Sequence, residues 1–267
     1  MAERHRDLER LLTFVDAVVA IAITLLVLPL AEIGSEVGPS GAVDLLHAHS
    51  DDIIGFVLSF VVIARLWLSQ HHAVSTLERL LTFVDAVVAI AITLLVLPLA
   101  EIGQEVGDVG AAELLQAHSD DLLGFVLSFV VIARLWLAQH HTVRSLERQS
   151  PPVIWLLLAW TFTIVFLPFP TSLVAASDHD PVAKILYVGT MAISSLLLAV
   201  IAWAIRNDDS LRDSDEKPDM GAAIGVCLGF LVALAVMLAF PDTGYYPLLL
   251  LLLVDPVVRV ARRVVRA

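Results

Sequence analysis

The sequence predicts an all-α polytopic membrane protein with eight transmembrane helices. Of its 267 residues, 58% are hydrophobic and only 16% are charged, whereas a soluble domain has about 45–50% apolar and about 25% charged residues. Apolar runs of about 20 residues, which is the length that crosses a bilayer as a helix, recur along the chain. One of these runs occurs twice with an identical sequence.

The duplicated run organises the first half of the chain. Residues 8–34 read LERLLTFVDAVVAIAITLLVLPLAEIG, and residues 77–103 repeat these letters 69 positions later. The repeat continues without gaps, so that residues 8–76 align with residues 77–145, and both units contain GFVLSFVVIARLWL in their second half. Each unit therefore predicts a helical hairpin: two spanning helices joined by a loop, which lies at 34–54 in the first unit.

Four further apolar runs follow the second hairpin. They predict helices over residues 153–175, 182–205, 220–240 and 245–260. We therefore divide the chain into a duplicated two-helix hairpin, residues 1–76, and a six-helix unit, residues 77–267.

The distribution of charge predicts the orientation. Basic residues cluster before the first helix, after each hairpin, near residue 210 and in the tail, so that only Lys184 falls on the opposite side. Since Lys and Arg accumulate in cytoplasmic loops, we expect both termini in the cytoplasm. The net charge of −12 argues against a nucleic-acid partner.

The loops inside the two hairpins carry acids and no Lys or Arg. Residues 31–52 and 101–121 together hold eleven Asp and Glu residues. Acidic rings at a pore mouth concentrate cations, so these loops favour a cation-attracting vestibule. The alternative is that they merely obey the rule that basic residues stay inside.

Each first helix also carries an acid within its apolar run. Asp16 and Asp85 each stand six residues after an arginine, Arg10 and Arg79. An ionisable residue inside a membrane helix is costly and marks a functional site by default. An ion pair or cap at the helix entrance is the structural alternative.

A row of apolar residues follows the acid at helical spacing. Ile90, Thr93, Leu94 and Leu97 recur at i, i+3, i+4 and i+7, which places them on one face. Such a face suits a narrow hydrophobic constriction, and it suits ordinary helix packing equally.

The second helix of each hairpin ends in a pair of histidines, His71 and His72 or His140 and His141. We expect these pairs to hydrogen-bond to Asp16 or Asp85 at the cytoplasmic end. A catalytic metal centre needs several separated histidine clusters, so we predict neither an enzyme nor a cofactor. A second histidine group on the outer side favours a solvated loop over a metal site; it comprises His47, His49 and His118, with Asp51 and Asp52.

Three motifs in the sequence resemble those of a known family. R-x-x-x-F-V-D followed by AVVAIAITLLVLPL is similar to the first-helix signature R-x-x-x-F-S-D of the endolysosomal potassium channel called transmembrane protein 175 and its bacterial relatives. The Trp136-x-x-x-His140-His141 end of the second helix and FLPFPT at 166–171 resemble the same family. The serine of the signature is Val15 or Val84 here, and the extra hairpin has no counterpart in a six-helix bacterial subunit.

The resemblance implies a passive, potassium-permeable leak channel in a bacterial cell membrane. It implies self-association in the lipid bilayer as a homotetramer, with K⁺ as the permeant ion and no other cofactor. By position, Ile90, Leu94 and Leu97 form the constriction, and Thr93 contacts the ion. The implied polar network comprises Arg79, Asp85, Trp136, His140 and His141, and the duplicate copy offers Arg10, Asp16, Ile21, Thr24, Leu25, Leu28, His71 and His72.

Two other functions remain open from the residues alone. One is a proton- or cation-coupled transporter that uses the two aspartates and the histidine pairs. The other is a non-conducting membrane scaffold. For a channel, the direct connection of residues 77–145 to the next span favours Leu97 over Leu28 at the constriction.

Overall fold

The computed structural model describes residues 2–37, 41–71, 77–97, 99, 110, 113, 116–177, 180–212, 218–240, 243 and 245–250. All secondary structure in these residues is helical. The predicted all-α class is therefore confirmed for the part of the chain that the structure describes.

The first hairpin, residues 1–76, contains four helices. They are α1 (Ala2–Leu25), α2 (Leu28–Ser35), α3 (Gly41–Ala48) and α4 (Ser50–His71). The second hairpin, residues 77–145, contains α5 (Leu77–Leu94) and α6 (Ser119–Val143). The prediction of a connecting loop over residues 34–54 was wrong in part, because the end of α2 and all of α3 lie within these residues.

Four helices follow the hairpins. They are α7 (Pro151–Phe166), α8 (Pro168–Ala176), α9 (Pro181–Asn207) and α10 (Met220–Ala239). Ser150, Asp180 and Asp219 cap the first turns of α7, α9 and α10 by accepting backbone N–H groups, which satisfies donors that have no partner inside the helix. Two short 3₁₀ segments lie at Asp209–Leu211 and Tyr246–Leu250.

Within the described residues, six helical stretches are long and apolar enough to cross a membrane. They are formed by α1 with α2, α4, α6, α7 with α8, α9, and α10. The helix α5 repeats the sequence of most of α1, and the predicted span at 245–260 lies mostly outside the described residues. Eight spans therefore stay a prediction.

Two of the spans are broken at defined residues. Between α1 and α2, the buried Thr24 hydroxyl donates to the carbonyl groups of Ala20 and Ile21, both at 2.9 Å. Hydroxyl bonds of this kind bend helices, and Pro29 then restarts the helix. Between α7 and α8, Pro168 stands in the first turn of the new helix, where its missing N–H costs nothing.

The helix α3 ties the first hairpin to α9. The Ala42 N–H donates to Asp180 Oδ2 at 2.7 Å, while Asp180 Oδ1 accepts the N–H groups of Val182 at 2.7 Å and Ala183 at 3.3 Å. Burial alone would raise the pKa of Asp180, but these three backbone hydrogen bonds outweigh it and lower the pKa. Gly41 adopts φ +83° at this contact, a conformation that favours glycine.

The helices pack so that the two hairpins lie side by side. Helix α5 lies against both α1 and α7, and α2 lies against α8. A Cβ at Gly34 on α2 would collide with the Ser172 hydroxyl on α8, so the two backbones approach closely. Phe56 and Phe60 of α4 contact Phe162 of α7, with ring centroids 5.5 and 5.0 Å apart.

Candidate functional site: a polar network between the hairpins

Asp16 is the centre of a polar network at the junction of the two hairpins. Arg79 of the second hairpin donates from Nε to Asp16 Oδ2 at 2.5 Å and from Nη2 to Oδ1 at 2.8 Å. Trp67 at the end of α4 donates its indole N–H to the same Oδ1 at 2.9 Å. Asp16 is 7% exposed, so the structure buries this carboxylate with three donors. A bidentate arginine–carboxylate pair adds both energy and a fixed geometry.

This pairing differs from the one expected within a single hairpin. The sequence grouped Arg79 with Asp85, six residues further along the same helix. In the structure Arg79 instead contacts the aspartate of the other copy. A spacing of six residues leaves the two side chains out of register on a helix, since neighbours on one face stand three or four residues apart.

Asp85 occupies the equivalent position in the second hairpin and has fewer partners. Trp136 donates its indole N–H to Asp85 Oδ1 at 2.7 Å, which reproduces the contact between Trp67 and Asp16. Among the described residues, Asp85 Oδ2 accepts no hydrogen bond, and Asp85 is half-buried. The corresponding arginine, Arg10, is exposed and makes no hydrogen bond or ion pair with the residues that the structure describes.

An aromatic contact accompanies the ion pair. The ring of Phe83 stacks on Trp67 with centroids 4.1 Å apart and planes 23° apart. Phe83 is 1% exposed, whereas its duplicate Phe14 is 65% exposed. Trp136, the duplicate of Trp67, is half-buried, and its ring lies beside that of His140, with centroids 6.0 Å apart.

His140 and His141 do not make the predicted hydrogen bonds within the part of the chain that the structure describes. His140 and His141 are exposed, lie beside each other with ring centroids 6.4 Å apart, and make no hydrogen bond to the described residues. His141 lines a cavity of about 460 Å³ bounded by α6, α9 and α10. The side chain of His71 and all of His72 lie outside the described residues.

The predicted constriction residues form one row in each hairpin. We call this the apolar row: Ile21, Leu25 and Leu28 in the first hairpin and Ile90, Leu94 and Leu97 in the second. Every member is exposed or half-buried. The chain's own packing therefore leaves Ile21, Leu25 and Leu97 exposed and covers the other three members only in part.

The two threonines of the duplicated helix differ in exposure. Thr93 is exposed and donates its hydroxyl to the Ile90 carbonyl at 2.7 Å. Its oxygen keeps acceptor capacity, so it can contact a cation. Thr24 is fully buried, and within one chain its oxygen is inaccessible to an ion.

The outer histidines form no cluster suited to a metal in the described residues. Nδ1 of His49 lies 2.8 Å from Oδ2 of Asp52, and no group of three or more metal-ligating side chains occurs in that part of the chain.

Two residues of the network escaped the sequence reasoning. Trp67 stands in the same LWL segment as Trp136, so the duplication itself was the signal for it. Phe83 is the phenylalanine of R-x-x-x-F-V-D, and its position four residues after Arg79 places both on one helix face. The pairing between hairpins had no signal, because the two copies are identical in sequence here.

These features define a class: a helical membrane protein whose paired hairpins hold a buried carboxylate beside a partly exposed apolar row. The family model for "Endosomal/lysosomal potassium channel TMEM175" matches the chain twice, over residues 10–81 and 79–168. The chain belongs to the TMEM175 family. The two matches also confirm the internal repeat.

Three curated relatives are similar to this chain. A potassium channel of Streptomyces collinus is 29% identical over 169 residues, which is 61% of this chain and 82% of the relative. A potassium channel of a Chryseobacterium species is 27% identical over 151 residues, covering 56% and 72%. The zebrafish endosomal/lysosomal proton channel TMEM175 is 23% identical over 131 residues, covering 49% of this chain and only a quarter of the relative. No solved structure matches the chain.

Proposed function

We propose that this protein is a passive cation channel that conducts K⁺ through a pore lined by the apolar row. The observation that carries the proposal is the family match over both hairpins, together with two bacterial relatives named as potassium channels. The protein lies in a bacterial cell membrane with both termini in the cytoplasm, as the basic loops favour.

The exposure of the apolar row supports its role as the constriction. Ile21, Leu25 and Leu97 are 45%, 44% and 41% exposed although they belong to the duplicated helix. Ile90 and Leu94 are half-buried against the core, so the chain's own packing fully covers the row in neither copy. A narrow apolar neck gates by excluding water, because it offers no hydrogen bonds to replace hydration.

The polar network fixes the helices that carry this row. Asp16 joins α1 to α4 through Trp67 and to α5 through Arg79. A pore helix that is held at its cytoplasmic end by a bidentate ion pair keeps a defined rotation about its axis. The network therefore positions the apolar row and does not itself contact the permeant ion.

The exposure pattern extends the assignment made from connectivity. The sequence favoured Leu97 alone at the constriction, yet Leu28 is also only half-buried. We therefore propose that both copies line the pore. Conduction requires several chains or helices around one axis, so self-association belongs to the proposal.

A flux measurement tests the proposal. The purified protein is reconstituted in liposomes loaded with K⁺, and K⁺ efflux down its gradient is followed in the absence of any second ion gradient. A channel gives efflux that protein-free liposomes lack. A coupled transporter gives efflux only when a proton or Na⁺ gradient is added, and a scaffold gives none, so either of these results rejects the proposal. Replacing K⁺ by Na⁺ in matched liposomes measures the preference for K⁺.

A further inference from the structure

The two hairpins bury opposite faces of the same helical sequence. One stripe, which we call the Thr face, is fully buried in the first hairpin and exposed or half-buried in the second. Its members are Ala20, Ile23, Thr24 and Val27 in the first hairpin and Ala89, Ile92, Thr93 and Val96 in the second.

A second stripe shows the reverse pattern. This stripe, the Phe face, is exposed in the first hairpin and at most 2% exposed in the second. It comprises Leu11, Phe14, Val18 and Ala22 in the first hairpin and Leu80, Phe83, Val87 and Ala91 in the second. Since local sequence is the same, the difference comes from what each helix packs against.

The contact between the hairpins is head-to-tail. The second hairpin supplies Arg79 and Phe83, and the first hairpin receives them with Asp16 and Trp67. Each hairpin carries both a donor half and a receiving half, and this contact uses the donor half of the second hairpin and the receiving half of the first. The other half of each hairpin is left over. Among the described residues, Arg10 with Phe14 is the unused donor half, and Asp85 with Trp136 is the unused receiving half.

We propose that a second copy of this chain completes both unused halves. Arg10 of one protomer binds Asp85 of its partner, and Phe14 stacks on Trp136, as Arg79 and Phe83 do within one chain. Two such contacts related by a two-fold axis close a ring of four hairpins from two chains. This is a proposal about assembly, and it stands whether or not the ring conducts.

Charge complementarity favours a second copy over lipid as the occupant. Arg10 is exposed within the span that begins at Glu9. Asp85 keeps one oxygen without a hydrogen bond among the described residues and lies on α5, which repeats the sequence of that span. An unpaired acid in a membrane helix is costly, and an apolar lipid chain offers no donor. The receiving half already exists in the shape that binds the donor half, because Trp136 holds Asp85 as Trp67 holds Asp16.

Ring closure favours two chains. Head-to-tail contacts form either a closed ring or an open filament, and two chains give the smallest ring beyond the single chain. A homotetramer, as expected from a six-helix subunit, would place eight first helices around one axis here. That number is too large for the narrow neck that the apolar row suits, so the duplicated hairpin halves the number of chains.

Disulfide trapping tests the proposed contact with a built-in control. In a Cys227→Ala background, Phe14→Cys with Trp136→Cys reports the contact between chains. Trp67→Cys with Phe83→Cys reports the equivalent contact within one chain. After oxidation in membranes, the first pair should run almost entirely as a covalent dimer on a non-reducing gel, and the second pair should stay at monomer mass.

Each alternative gives a different band pattern. If the control pair forms its internal disulfide and the first pair stays monomeric, no such contact exists and the proposal fails. Covalent trimers, tetramers or longer ladders from the first pair would reject the two-chain ring. These bands do not depend on K⁺ flux, so a failure here is distinct from a failure of the proposed channel activity.

A mass measurement on single variants gives an independent result. In lipid nanodiscs or detergent, the wild-type protein should have the mass of two chains, and Arg10→Ala should at least halve the dimer fraction. Arg148→Ala, which removes an exposed arginine elsewhere, should leave the mass unchanged. A dimer fraction in Arg10→Ala equal to that of the wild type would overturn the proposed contact.

Discussion

The aspartates of the two hairpins have the same neighbours in sequence and different neighbours in space. Asp16 is buried and accepts hydrogen bonds from Trp67 and Arg79. Asp85 is half-buried and accepts one, from Trp136. The partner within each hairpin is therefore set by local sequence, and the partner across hairpins is set by position in the chain.

This difference shows what a tandem duplication does to a head-to-tail contact. Linking two units in one chain makes the contact between them intramolecular, at an effective concentration set by the short linker. The pair of Arg79 and Asp16 can thus form without any encounter between chains. The proposed pair of Arg10 and Asp85 would have no such advantage, so its formation should depend on protein concentration.

The largest difference is expected from removing each aspartate in turn. Asp16→Ala leaves the half-buried guanidinium of Arg79 without its carboxylate, and breaking a fully buried ion pair in this way costs about 3–5 kcal/mol, which is the upper limit for this pair. Asp85→Ala removes one hydrogen bond from Trp136, which costs about 1–3 kcal/mol. Denaturant unfolding in detergent at low protein concentration measures both. Equal losses from the two variants would mean that the burial of Asp16 is not energetically distinct.

The two phenylalanines of the duplicated motif should differ by a similar amount. Truncating a buried phenylalanine to alanine costs about 3–5 kcal/mol, so Phe83→Ala should unfold at much lower denaturant. Phe14→Ala should change the free energy of unfolding of a single chain by less than about 0.5 kcal/mol, as exposed substitutions do. If Phe14→Ala destabilises the dilute protein as strongly as Phe83→Ala, the first hairpin must bury Phe14 within its own chain.

Much of the fold was predictable because long apolar runs in the sequence identify membrane-spanning helices. The runs at 153–175, 182–205 and 220–240 predict the observed helical stretches to within two residues at each end. Apolar length decides these elements, and a Pro, Ser or Asp marks most of their starts. The helix α3 was missed because its eight residues lie in a segment that reads as an acidic loop.

The site was predictable in its members and unpredictable in its pairing. Arg79, Asp16, Asp85 and Trp136 all stand out as polar residues in or beside apolar spans. Their connection depends on which copy lies beside which, and two identical stretches carry no information on that point. The burial of Thr24 and the exposure of Thr93 could not be predicted for the same reason, because the two threonines have identical neighbours in sequence.

The apolar row gives a prediction in which the two hairpins should behave alike. Leu97→Asn and Leu28→Asn each place a hydrogen-bonding group in the neck, which should wet it and raise K⁺ conductance with poorer discrimination against Na⁺. A tenfold rise corresponds to a barrier lowered by about 1.4 kcal/mol, and we expect less than that from either variant. Single-channel recording in planar bilayers measures the change, with Ile193→Asn on an exposed face of α9 as the control. An effect at Leu97 alone would assign the constriction to the second hairpin.

The smallest expected effect concerns the hydrogen bond from the Ala42 N–H of the first hairpin to Asp180 at the start of α9. The stability that this contact contributes should depend on pH. Because the pKa of Asp180 is lowered in the folded protein from its ordinary value of 3.8, the ionised carboxylate stabilises the fold at neutral pH. This contribution is lost as the pH falls below 3.8, through the folded pKa.

Asp180→Ala removes a helix cap and the contact with the Ala42 N–H, and losing a cap costs about 1 kcal/mol. The difference in unfolding free energy between wild type and Asp180→Ala should therefore be present at pH 7 and shrink at pH 3. Asp180→Asn keeps an acceptor oxygen without the titrating charge, so its smaller deficit relative to Asp180→Ala should also reveal how much of the tie is due to ionisation. A difference between wild type and Asp180→Ala that stayed constant down to pH 3 would show that the tie does not depend on the charge.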